Sequence, residues 1–87
     1  MVQADNSVIY YNLGAAYSNN EDFKQATIEY LKAVRLEPTM GDAYNGLAFT
    51  FYKLKDYELA AEYIIKAEEL DIEINKDLLK AIESELQ

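Results

Sequence analysis

The side chains in this 87-residue chain that could do chemistry are its carboxylates, hydroxyls and amines, because histidine and cysteine are both absent. Glu21 beside Asp22, and Glu68 with Glu69 and Asp71, have the pairing that acid–base catalysis or a divalent cation would need. Their positions at expected helix starts and on polar faces fit capping and solubility better. The serines and threonines lack a base placed to activate them, and no glycine-rich run is present to cradle phosphate. No catalytic residue, metal ligand or cofactor is therefore expected. What remains is recognition, and with it the elements that would hold recognising side chains in place.

Composition narrows the partners. At 51% hydrophobic and 28% charged residues the chain is too apolar for a disordered tail and too often interrupted by charge for a membrane span. Eighty-seven residues allow one small domain. A net charge of -8 repels phosphate backbones, so nucleic acid is not an expected partner. The acids crowd the last third, from Glu62 to Glu85, and read as a solvated face. The absence of cysteine excludes disulfides and thiolate metal sites but leaves the redox compartment open. Met1-Val2-Gln3 has neither the basic start nor the apolar core of an export signal, and the cytoplasm is the favoured compartment.

The chain repeats itself. Tyr10, Leu13, Gly14, Tyr17, Asp22, Phe23, Ala26, Tyr30, Ala33 and Leu36 recur 34 residues later as Tyr44, Leu47, Ala48, Phe51, Asp56, Tyr57, Ala60, Ile64, Ala67 and Leu70. Within each unit the apolar positions follow helical spacing, and Ser18–Asp22 and Pro38 supply the breaks. The pattern predicts helices over about 7–19, 22–36, 41–53 and 56–70, with short turns that make sequential helices antiparallel neighbours. The small residues Gly14, Ala26, Ala33, Ala48, Ala60 and Ala67 let helices approach closely. Tyr10, Tyr17, Tyr30, Tyr44 and Phe51 then fill the gaps as core or half-core rings.

The run Tyr10, Leu13-Gly14, Tyr17, Ala26, Tyr30, Ala33, Pro38 resembles the tetratricopeptide signature. The second unit departs from it at Ala48, at Ile64 and at Ile72, which replaces the helix-ending proline. The resemblance implies an all-α fold of helix-turn-helix repeats stacked in a right-handed superhelix, an α-solenoid of about five helices. It divides the chain into a lead-in over 1–6, repeats over 7–40 and 41–74, and a C-terminal capping helix over 75–87. Asn75 is the expected N-cap of that last helix, and Leu78, Leu79, Ile82 and Leu86 its apolar stripe. Residues 2–6 line up with the tail of a preceding unit, so the outer face of the first hairpin is expected to lack a cover.

Such solenoids bind along a concave surface lined by the first helix of each unit. The resemblance places Val8, Tyr11, Asn12, Ala15, Ser18 and Asn19 there, then Asp42, Asn45, Gly46, Phe49, Tyr52 and Lys53, with Lys76, Leu79 and Lys80 from the capping helix. Tyr11, Phe49 and Tyr52 serve no signature position, and two readings stand side by side: anchors for a partner, or rings packed between helices. Some family members clamp a peptide's terminal carboxylate with Lys, Asn, Asn, Lys and Arg. The corresponding positions here are Tyr11, Ala15, Gly46, Lys76 and Lys80, so both amide donors are missing and that role is not expected. The expected function is a non-catalytic scaffold or adaptor that binds a protein or peptide through Tyr11, Asn12, Asn45, Phe49, Tyr52, Lys53, Lys76 and Lys80, with no nucleic acid and no membrane insertion. The alternatives are a building block that self-assembles into a homo-oligomer through exposed helix faces, and an excerpt from a longer array.

Overall fold

Helix-compatible sequence with few breakers does most of the work in shaping this chain. The computed structural model describes the backbone of residues 2–87 and the side chains of residues 6–87, which form five helices and no strand: α1 Val2–Asn19, α2 Phe23–Leu36, α3 Gly41–Lys53, α4 Tyr57–Glu69 and α5 Lys76–Glu85. Helix α1 starts at Val2 rather than at residue 7, because residues 2–6 contain no proline or glycine to end it. Met1 and the side chains of Val2–Asp5 lie outside the described residues, and so does the expected alignment of that segment with a preceding unit.

Both hairpins close in the same way. Glu21 (φ 63°) and Lys55 (φ 68°), 34 residues apart, take the left-handed conformation with no glycine to ease it, at a cost of roughly 1 kcal/mol each. The gain is that the Asp22 N–H reaches the Tyr17 carbonyl at 2.8 Å and the Asp56 N–H that of Phe51 at 2.9 Å, satisfying carbonyls left over at the helix ends. Asp56 then caps α4 by accepting from the Leu59 N–H at 3.2 Å, whereas Asp22 holds the same place without a side-chain bond. Helix α4 ends at a third left-handed residue, Asp71, and the Ile72 N–H bonds the Ala67 carbonyl at 3.1 Å. That turn substitutes for the missing proline. After it α5 begins at Lys76, capped by Asn75 accepting from the Leu78 N–H at 3.0 Å.

The helices pack in sequence: α1 on α2, α2 on α3, α3 on α4, and α5 on α4, with a lighter contact between α1 and α3. Ala26, Ala33, Ala43, Ala48, Ala60 and Ala67 are fully buried along these seams, so the helices approach closely there. Tyr30 fills the junction between the units, its ring lying against both Gly14 of α1 and Gly46 of α3. A methyl group on either glycine would come within 2.7 Å or 2.6 Å of that ring, so neither position tolerates alanine without moving it. Across α2 and α3 the buried hydroxyls of Thr27 and Thr50 hydrogen-bond at 3.2 Å. Ile82 of α5 is buried, as is Ile64 of α4, and Ile74 of the connecting segment joins the same core.

Candidate recognition groove

Helices α1, α3 and α5 leave a cavity of about 510 Å³ between them, lined by Tyr11 and Tyr30, by Asp42, Asn45, Gly46, Phe49, Tyr52 and Lys53 of α3, and by Asn75, Asp77, Leu78 and Ala81. On α3 the lining residues are spaced three and four apart, so they share one face of the helix. Five of the eight expected groove residues, Tyr11, Asn45, Phe49, Tyr52 and Lys53, meet here. Asn12 is exposed and does not line it, and neither do Val8, Ala15, Ser18 or Asn19.

Lys76 and Lys80 are not brought into this cavity. Lys76 borders a neighbouring one of about 420 Å³ beside Asn45 and Glu73, and Lys80 is exposed. Leu79 instead faces Ala61, Ile64 and Ile65 on α4. The apolar stripe sets the rotation: Leu79, Ile82 and Leu86 seat beside Ala61, Ile64 and Ile65 of α4, which leaves Asp77, Leu78 and Ala81 on the groove side and Lys76 and Lys80 off it.

Each ring in the groove is braced from behind. Tyr11 lies 5.7 Å from Tyr30, Phe49 meets Phe23 edge-on at 6.0 Å, and Tyr52 sits 5.8 Å from Tyr57. Each of these rings packs on a neighbour, as the between-helices reading expects, and each also lines the cavity. Phe49 remains 37% exposed. Burial pushes the Tyr30 hydroxyl up to about 12, with the adjacent Tyr11 adding to the shift. Tyr11 is raised as well, first by burial and then by the nearby Asp42 carboxylate. Lys53 lies over the Phe49 ring at 5.6 Å. Asp42 and Asp77 stand in the first turns of α3 and α5, where the helix dipole favours negative charge.

The signature position makes Tyr30 a core or half-core ring, and it is buried yet also lines the cavity. Its contribution to the cavity follows from Gly46, a glycine in mid-helix that matches no signature glycine. Among the described residues no group of three His, Cys, Asp or Glu side chains could hold a metal ion, and no helix is long and apolar enough to cross a membrane.

The tetratricopeptide repeat family model matches residues 7–40 and 41–71, so the fold is a helical-repeat solenoid and the chain belongs to the tetratricopeptide repeat family. No curated protein matches the chain. Repeats of this family generally mediate protein–protein interaction, and its members are typically non-catalytic scaffolds that bind proteins or peptides.

Proposed function

We propose that this chain is a non-catalytic adaptor that holds a segment of another protein in the groove between α1, α3 and α5. The observation that carries the reading is the set of three rings, Tyr11, Phe49 and Tyr52, each braced from behind and each open to one cavity. Braced rings lose little freedom when a partner lands on them, which favours binding. Asn45 supplies a polar contact to the same cavity, with Lys53 at its other end. Asn12, Lys76 and Lys80 lie outside this cavity and take no part in the proposal.

The test is a peptide panned from a random library against the wild-type chain, then titrated against Phe49→Ala and Tyr52→Ala. Aromatic anchors of this kind carry more than about 1 kcal/mol each, so each variant is expected to weaken binding at least about fivefold. Unchanged affinity in both would sink the groove reading.

One observation favours a second reading, self-assembly. Ile9, Leu13 and Ile28 are exposed on the first hairpin, although apolar residues in such numbers tend to be covered. Light scattering over a range of chain concentrations separates the two, since a mass that grows with concentration belongs to the second.

A further inference from the structure

The groove has a charge pattern of its own, and it bears on the chemistry of what binds there. Asp42 and Asp77 line the cavity from the first turns of two different helices. Both are exposed, and among the described residues neither is in an ion pair, the one such pair being Lys32 with Glu29. The cation in the lining, Lys53, has its ammonium over Phe49, seven residues along α3 from Asp42. That is roughly 10 Å along the helix, beyond the screening length of about 8 Å at physiological salt. Asp42 is therefore not neutralised by it, and Asp77 is in no ion pair among the described residues. Tyr11 and Phe49 line the same cavity, and an aromatic face attracts a cation by its ring quadrupole, as Lys53 over Phe49 already shows.

Resting on the adaptor reading above, we infer that the groove selects a segment bearing a basic side chain, arginine best of all, seated between Asp42 and Asp77 and stacked on the neighbouring rings. Arginine fits because a planar guanidinium can hydrogen-bond a carboxylate and stack on an aromatic face together, while lysine offers only a point charge. A net charge of -8 steers the same kind of partner toward the chain. An acidic segment would meet two carboxylates that no cation pairs with among the described residues.

The experiment is the library selection already described, extended to the double variant Asp42→Asn, Asp77→Asn and to Lys53→Ala. Selected peptides are expected to be enriched in arginine. They should bind the double variant about tenfold more weakly, as the loss of two partly exposed charge contacts implies, and lose affinity for the wild-type chain when their own arginine is replaced by glutamine. Circular dichroism of the double variant, whose two substitutions are isosteric and exposed, verifies that it is folded. Peptides that are neutral, or acidic and dependent on Lys53, and that bind the double variant as well as the wild type while losing Phe49→Ala, overturn the charge inference and leave the groove reading standing. Peptides indifferent to Phe49, Tyr52, Asp42 and Asp77 alike overturn both.

Discussion

The same helix face meets two fates in the two repeats. Leu47 of α3 is fully buried, whereas Leu13, its equivalent 34 residues earlier on α1, is 41% exposed; Ala43 is buried and its equivalent Ile9 is 53% exposed. The cause lies in the neighbour, since α2 packs over α3 while no described element covers the matching face of α1. A repeat signature therefore specifies a surface shaped to interlock, and whether that surface becomes core depends on what stands next to it. The first hairpin carries its apolar residues at full length and receives only part of the benefit.

The largest effect follows directly. Leu47→Ala leaves a cavity in a closed seam and is expected to cost about 3 kcal/mol of stability. Leu13→Ala, at the equivalent position, removes side chain already partly in water and is expected to cost less than about 1 kcal/mol. Urea denaturation of both variants at low chain concentration measures the difference. Equal losses would mean that a second chain covers the α1 face in solution, and the comparison between the repeats would then describe an isolated molecule only.

How much of this was visible in the sequence differs by element. The 34-residue period is plain because Tyr, Leu, Ala and Asp recur at fixed places; α2, α3 and α4 follow from it to within a residue at each end, while α1 starts five residues earlier, at Val2 rather than at residue 7. The left-handed turns at Glu21, Lys55 and Asp71 were not visible, since no glycine marks them and ordinary residues adopt that conformation only under the pull of the closing hydrogen bonds. For the groove, α3 was legible because its spacing repeats that of α1. Helix α5 was not. Its rotation follows from how Leu79, Ile82 and Leu86 seat against α4, which leaves Asp77, Leu78 and Ala81 rather than Lys76 and Lys80 on the groove side. Periodicity tells which residues share a face, but packing against the neighbouring helix decides where the face points.

The junction between the repeats offers a second test. Tyr30 wedges between Gly14 and Gly46, while its equivalent Ile64 in the second unit has no hydroxyl to bury. The Tyr30 hydroxyl is raised from its ordinary value near 10 to about 12 by burial and by Tyr11. The folded chain thus holds this proton more tightly than the unfolded chain. The stabilisation is complete below pH 10 and is lost as pH rises from about 10 to about 12, and the loss in that window is expected to be on the order of 2 kcal/mol. Tyr30→Phe should flatten that part of the stability curve, the remaining slope coming from Tyr11, Tyr57 and Tyr63, which are raised as well. An unchanged slope in the variant would place the titrating group elsewhere.

The smallest effect concerns a carboxylate where the second repeat has a ring. Tyr63 stacks on Tyr44 at 6.0 Å and on Phe51 at 5.6 Å, and Lys66 lies over Tyr44. In the first repeat Lys32 lies over Tyr10 in the same fashion, but the position of Tyr63 is held by Glu29. Glu29 is buried; its Oε2 accepts from Gln25 Nε2 at 3.2 Å and lies 3.8 Å from Lys32 Nζ, while Oε1 has no partner among the described residues. A half-satisfied buried carboxylate costs desolvation that one long ion pair does not repay, so Glu29→Met is expected to be neutral or to stabilise by up to about 1 kcal/mol. Tyr63→Met, which breaks two ring contacts, is expected to destabilise by about 1 kcal/mol or more. Opposite signs at two equivalent positions would show that the first repeat gives up packing to keep a charge. A loss of more than about 1 kcal/mol from Glu29→Met would instead mean that Oε1 is satisfied in solution, and that this carboxylate holds the first hairpin as firmly as the stacked rings hold the second.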